Sequence, residues 1–483
     1  MKGKFLKHFA IIGMGSMLSM VLGFFTTPII TRIIDPADYG QYSIFTMYSN
    51  LLLMVLCIGL DQAMVRYFYE DNCIGYKQTL LKNCIILPII FTVTTSVVAI
   101  LLYDFGVFEF EFNKIVLFLL CFYTLILVIY RFSLLLLRLQ YKSKLYSFLS
   151  VLQKGVYIVV ALVLLFLTDF SQELSLIVAT VFATTVCLVT SILSEREIWK
   201  FRSTEVTFDN LKKIDLIKYG YPYIATMGIM SIFQALDQLS LNYFCSYHEV
   251  GIYASTMTLV HVFNIVQTTF NTLWTPMAVE HYTNDKEDRS FFQKGNRIIT
   301  VIMFFIGFSL ILVKDVFAVL LGEKYREAAM ILPFLIFNPI MYTISETTVS
   351  GLVFMKKSNM QVLVAAGACL TNAIGNYILV PILGYKGAAI STGISYIVFF
   401  SLRTLFSNKY FYVDFGLKRF SILTMLAVLY AFYNTFVKFN YLCIVFYIII
   451  ILIMFTLYKD TIIWGIKYII DIFKNKILWR SLQ

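Results

Sequence analysis

The sequence predicts an all-α polytopic membrane protein. It would have about fourteen transmembrane helices, arranged as two six-helix lobes in parallel repeat plus two C-terminal helices. Three observations lead there. Of 483 residues, 59% are hydrophobic and 14% charged, and mean hydropathy is +0.80. A soluble chain of this length cannot hide so much apolar surface. Apolar runs of spanning length recur from end to end, and two short motifs return at a nearly constant offset.

A helix that crosses a bilayer needs about 20 apolar residues. Runs of that kind stand near 7–31, 41–66, 78–103, 114–138, 146–168, 174–194, 218–243, 251–279, 296–321, 327–355, 359–383, 386–407, 419–437 and 441–458. The first continues to Ile30, too long for the apolar core of a signal peptide, so it is expected to span. The tenth contains Pro333, Pro339 and Glu346 and is expected to be the least regular. Phe420–Val437 and Tyr441–Tyr458 are too long and too apolar to lie on the membrane surface.

Charge supports this count. With the N-terminus inside and alternating crossings, roughly 30 Lys and Arg fall on inner segments and about 7 on outer ones, the positive-inside bias. Both termini are therefore expected in the cytoplasm. The net charge of +11 reads as topology and contact with anionic lipid. Nucleic acid is not an expected partner, because no continuous basic face or stacking motif accompanies the charge. Six of the eight cysteines lie in apolar runs, with Cys73 in an inner loop and Cys245 near an outer one, so no structural disulfide is expected. The longest inner loop, about Glu195–Asp215, mixes both signs. The expected division is a lobe at 1–200, a cytoplasmic linker at 201–217, a second lobe at 218–410, and two helices with a cytoplasmic tail at 411–483.

The repeat has two anchors. Lys7…Gly40-Gln41-Tyr42 matches Lys218…Gly251-Ile252-Tyr253 at an offset of 211, and Leu139-Gln140-Tyr141-Lys142-Ser143 matches Phe354-Met355-Lys356-Lys357-Ser358 at 215. A four-residue insertion reconciles them. Such parallel repeats place a substrate path at their interface.

Within Ile29–Tyr69, one apolar helix ends in Thr31-Arg32. An acidic turn, Asp35-Pro36-Ala37-Asp38, follows, and Tyr39-Gly40-Gln41-Tyr42-Ser43 opens the next helix. The run Arg32, Pro36, Tyr39, Gly40, Tyr42, Ser43 resembles the hinge of the oligosaccharide flippases of bacterial polysaccharide synthesis. These belong to the multidrug and oligosaccharidyl-lipid exporter superfamily. The resemblance covers residues 1–410. It implies a transporter of the bacterial cytoplasmic membrane that moves a polyprenyl-diphosphate-linked oligosaccharide between leaflets by alternating access. The cargo would feed O-antigen, capsule or exopolysaccharide synthesis, beside glycosyltransferases and a polymerase, with no cofactor.

Five ionisable residues lie well within the spans: Asp61, Arg131, Lys154, Asp237 and Glu346. Each costs about 2.5–3.5 kcal/mol at a helix centre, so each needs a wet cavity or a partner. Arg131 and Lys154 flank the 139–145 hairpin symmetrically, roughly 10 Å in from the cytoplasmic side. Glu346 is the repeat counterpart of Arg131. Arg131 and Lys154 are expected to meet the cargo diphosphate, with Arg32 and Arg66 extending the path. The competing expectation is snorkelling or an ion pair such as Arg131 with Glu346. Asp61, Asp237 and Glu346 are candidates for H+ or Na+ coupling, or else structural partners. Gln62, Gln234, Gln238, Asn242, Asn264, Gln267 and Asn271 suit sugar hydroxyls and helix–helix bonds equally. Pro28, Pro222, Pro276 and Pro333 are expected to kink helices, and His261 to be a hydrogen-bonded core histidine. The 45 Phe and 32 Tyr are expected mostly against lipid and at the interfaces.

Three functions stand at this point: the flippase, a cation-coupled multidrug exporter of the same fold, and a membrane polysaccharide polymerase or ligase. The enzyme would need a sizeable outer loop; here these are only about 5–14 residues, and no metal-ligand, phosphate-cradling or nucleophile motif stands out. The chain is therefore expected to be a transporter, and a flippase first.

Overall fold

The computed structural model describes residues 2–107, 113–200, 213–465 and 467. Most of the expected linker (201–212) and the tail from 468 onward lie outside the described residues. Every regular element described is helical.

Two compact units divide the chain, Met1–Ala254 and Ser255–Gln483. The first holds α1 (Lys2–Ile33), α2 (Pro36–Leu56), α3 (Leu60–Tyr67), α4 (Ile74–Asp104), α5 (Lys114–Leu139), α6 (Ser143–Leu167), α7 (Gln172–Ser194), α8 (Arg196–Trp199) and α9 (Lys213–Phe244). Helix α10 (Tyr247–His261) leads out of it. The second holds α11 (Asn264–Asn284), α12 (Ser290–Leu312), α13 (Lys314–Leu321), α14 (Ala328–Leu335), α15 (Phe337–Thr348), α16 (Ser350–Phe354), α17 (Ser358–Leu383), α18 (Tyr385–Tyr410), α19 (Leu417–Phe436) and α20 (Tyr441–Leu457).

Among the described residues 11 helices are long and apolar enough to cross a membrane, or up to 13 if two bent pairs each count once. The chain is thus a multi-pass membrane protein. Of the fourteen expected runs, the remaining one is α19, which opens on Lys418 and Arg419 and closes on Tyr430, Tyr433 and Asn434. The run at 41–66 is not one straight helix: α2 and α3 meet at 55°. The irregular tenth run is divided among α14, α15 and α16. Pro333 lies inside α14, and Pro339 falls in the first turn of α15, where a missing N–H leaves no internal bond broken.

The repeat persists in the backbone. Helices α1 and α9 end 211 apart, at Ile33 and Phe244, and α2 and α10 start 211 apart. At the second anchor Tyr141 (φ 56°) and Lys356 (φ 53°) are both left-handed, though neither is glycine. The same bonds close both turns: Tyr141 and Lys142 donate to the carbonyls of Arg138 and Leu137, and Lys356 and Lys357 to those of Val353 and Leu352. This is the Schellman end, in which two backbone N–H groups reach back to carbonyls that the helix leaves unpaired.

Small residues set the helix spacing in the first unit. A Cβ on Gly40 would overlap the Tyr247 carbonyl, and one on Gly251 would overlap the Pro36 carbonyl. The glycines that anchor the repeat are therefore where α2 and α10 touch backbone to backbone. Along α1, Gly15 meets Ser147, and Ser19 Oγ donates to the Ser150 carbonyl at 3.1 Å.

Candidate functional site

The α2–α3 break positions the first cluster. Ile58 (φ 52°) and Gly59 (φ 68°) are both left-handed. For a β-branched residue that conformation is costly. A Cβ on Gly59 would strike the carbonyl of Gly220 on α9, so the bend is wedged against a neighbouring backbone. Below it, Met64 of α3 and Phe68 just after that helix join Leu80 and Cys84 of α4 and Phe132 and Leu136 of α5 in one buried apolar cluster. The first turn of α3 is thereby fixed against α5.

That turn carries Asp61. Its Oδ1 accepts from the Gln62 backbone N–H at 2.9 Å, and its Oδ2 accepts from Gln62 Nε2 at 3.0 Å. The same Oδ2 accepts from Arg131 Nε at 3.2 Å and Nη2 at 2.9 Å. Asp61 is nearly enclosed, with 10% of its side chain exposed, while Arg131 keeps 45%. No hydrogen bond uses Arg131 Nη1 among the described residues. The outer face of α5 is marked by exposed Ile115, Phe118 and Phe122. At 3.6 residues per turn Arg131 falls roughly opposite that stripe. Its free edge thus opens away from lipid, and the carboxylate behind it fixes its orientation.

Lys154 forms a second cluster. The outer face of α6 carries exposed Phe148, Val159, Val163 and Phe166, and Lys154 and Tyr157 fall on the opposite side. Lys154 is exposed there and makes no ion pair among the described residues. Its stem lies 4.0 Å from where a Cβ on Gly23 of α1 would stand. One turn away the Tyr157 ring lies nearly parallel to Tyr42 of α2, with centroids 6.2 Å apart and 18° between planes. Thr180 of α7 donates to the Tyr42 hydroxyl at 3.1 Å, and Gln153 Nε2 donates to Thr184 at 3.0 Å. No hydrogen bond or ion pair joins Arg131 to Lys154 among the described residues.

The acids of the spans are paired. In the first unit Asp237 accepts from the Tyr253 hydroxyl at 2.6 Å. In the second, Glu346 accepts from Arg403 Nη1 at 2.8 Å. Arg403 also donates to Ser345 at 2.7 Å and lies over the Tyr342 and Phe399 rings at 5.4 and 5.5 Å. The Arg131–Glu346 pair that sequence offered as an alternative to cargo binding is thus replaced by two others. Arg131 takes Asp61, which the break brings under α5, and Glu346 takes Arg403, which α18 lays against α15.

Arg66 sits half-exposed on a surface pair with Glu70 at 3.1 Å, and Arg32 is exposed with no ion pair among the described residues. His261 is hydrogen-bonded as expected, with Asn264 Nδ2 at 3.0 Å from its Nδ1, but it is exposed and does not lie in the core. Among the described residues no group of three His, Cys, Asp or Glu is placed to hold a metal ion. Sequence reasoning missed Tyr157 and the pairing of Arg403, and gave Tyr42 only as part of the hinge motif. By its place toward the inner end of the run at 386–407, Arg403 reads from sequence as one more inner cation. The spacing of Tyr157 from Lys154, one turn along the same helix, was a usable signal.

Comparison with known proteins adds the following. The family model described as "Polysaccharide biosynthesis protein" matches residues 5–281. An uncharacterized membrane protein of Methanocaldococcus jannaschii is 22% identical over 400 residues, 78% of each chain. The structure of a lipid II flippase in an inward closed conformation is similar with TM-score 0.69 and 16% identity, over 95% of this chain and 100% of that one. An inward-facing multidrug-resistance MATE family transporter of the MOP superfamily is similar with TM-score 0.59 and 14% identity, over 82% of this chain and 94% of that one. At these identities the structural likeness establishes the fold.

Proposed function

The chain belongs to the polysaccharide biosynthesis protein family, and from that premise we propose that it flips a polyprenyl-diphosphate-linked oligosaccharide across the cytoplasmic membrane. Alternating access would carry the diphosphate and sugars through a wet interior while the polyprenyl tail stays in lipid. Both termini would lie in the cytoplasm, as the charge bias requires. A transporter fits better than a polymerase or ligase, because the short outer loops leave little room for sugar chemistry.

One observation carries this reading: the Arg131 guanidinium, held on one edge by Asp61, keeps an open edge on the non-lipid face of α5. A guanidinium fork suits a phosphate oxygen pair. Asp61 then acts as a positioning residue and Lys154 as a second cation for the same charge. Arg32 and Arg66 would serve only the entrance or exit, being exposed near helix ends. The drug-exporter reading needs an acid free to bind a proton or Na+, whereas Asp61 and Glu346 each hold an arginine. In cells lacking the endogenous gene, the wild-type chain should restore surface polysaccharide. Arg131→Ala at equal protein level should not, and Arg131→Lys should restore part. Full export by Arg131→Ala would remove Arg131 from the path.

A further inference from the structure

We propose that Tyr42, Tyr157, Thr180 and Gln153 form a carbohydrate subsite beside Lys154, reading the sugar attached to the diphosphate. The inference rests on the flippase reading and adds to it the part of the cargo that these neutral residues recognise.

The first ground is position. Lys154 is an ammonium in the middle of a helix of 25 residues, on the face turned from lipid, exposed and with no acid beside it among the described residues. A charge so placed needs water or an anion. The second is what surrounds it. Tyr157 and Gln153 stand within a turn of Lys154 on α6; Tyr157 stacks on Tyr42 of α2, whose hydroxyl accepts from Thr180 of α7, and Gln153 donates to Thr184, so a chain of neutral side chains with polar tips runs from Lys154 across three helices. Tyr42 and Tyr157 are only half-buried. Tyr157 stands on the same side of α6 as Lys154, and the stacked Tyr42 ring continues from it.

The third ground is chemistry. A pyranose presents hydroxyls at its rim and C–H groups on its face. Aromatic rings with polar handles match the faces, and amide and hydroxyl groups match the rim. A diphosphate alone would call for further cations, and a lipid tail for further aliphatic side chains. Tyr157 and Gln153 stand within a turn of Lys154 on the same helix. The first sugar of a lipid-linked oligosaccharide is bonded directly to the diphosphate, so an ammonium next to a tyrosine pair matches the order of groups along the cargo.

The test compares two lipids on purified protein in nanodiscs: a polyprenyl diphosphate, and the same lipid bearing an oligosaccharide. The wild-type chain should bind the glycosylated lipid more tightly. Tyr157→Leu and Tyr42→Leu should weaken it about ten-fold and leave the bare lipid unchanged, collapsing the preference. Lys154→Gln should weaken both lipids alike. Tyr42→Phe and Tyr157→Phe keep the rings, and an unfolding midpoint within the wild-type range shows that a variant is folded. If folded tyrosine variants of either kind keep the full preference, or lose both lipids equally, the subsite is overturned while the flippase reading stands. If the wild-type chain binds neither lipid, the flippase reading falls, and the subsite with it.

Discussion

Arg131 and Glu346 occupy matching places in the repeat, each eleven residues before a lysine that follows the same left-handed turn. Their surroundings are opposite. In the first unit the cation is 45% exposed and its acid nearly enclosed. In the second both partners are buried, Arg403 at 9% and Glu346 at 11%, and aromatic rings flank the guanidinium. One fold position, with the sign reversed and the surroundings closed, gives a pair that holds helices together. The other gives a cation that is supported from behind and open in front. Exposure decides which member of a repeat can meet a ligand; the presence of a charge does not.

Breaking the closed pair should have the largest effect on stability. Arg403→Met leaves the Glu346 carboxylate buried without its cation, which costs about 3–5 kcal/mol. Thermal unfolding in detergent should show a clear fall in Tm, largely recovered by Arg403→Met with Glu346→Leu. A double variant as unstable as the single one would show that the pair itself stabilises the unit.

The open pair should respond less. Asp61→Asn removes charge but keeps an acceptor for Arg131, whose exposed half is screened by water; the expected cost is about 1 kcal/mol or less. Its larger signature should be functional, since Arg131 loses its fixed orientation. Export should fall by more than stability explains, measured as surface polysaccharide at matched protein level. A Tm loss as large as that of Arg403→Met would erase the contrast between the two units.

A third acid at the protein surface gives the lower end of the scale. In the loop before α12, hydrogen bonds from Ser290 and the nearby His281 hold the Asp288 carboxyl down at about 2. A depressed carboxyl contributes stability that is present above its unfolded value, about 3.9, and lost as pH falls through about 2. Wild type should exceed Asp288→Asn slightly in Tm above pH 4, with the difference gone near pH 2. A difference that survives at pH 2 would mean that the ionised carboxylate is not the cause.

Much of this was legible in the chain. Apolar run length located the helices, and the offset of 211 that joins Gly40 to Gly251 is the same offset that joins the ends of α1 and α9. The ionisable residues of the spans could be named, but their partners could not. Asp61 and Arg131 lie 70 residues apart and meet only because α2 breaks at Ile58 and Gly59. Sequence shows that break only as one glycine in an apolar run, and membrane helices often contain glycine. Arg403 looked like an inner-side cation because it stands near a helix end. Only the contact between α15 and α18 makes it the partner of Glu346. Tyr42 stood out only as part of the hinge motif, and Tyr157 was lost among 32 tyrosines, since composition does not show which face a ring occupies.

The open edge of Arg131 is tested most directly by reconstitution. Proteoliposomes loaded with a polyprenyl-diphosphate-linked oligosaccharide report how fast the sugar reaches the opposite leaflet. The wild-type chain should accelerate that crossing, Arg131→Lys should retain part of the rate, and Arg131→Ala should fall to the protein-free level. Crossing at the wild-type rate by Arg131→Ala, with the protein folded and inserted, would contradict the account.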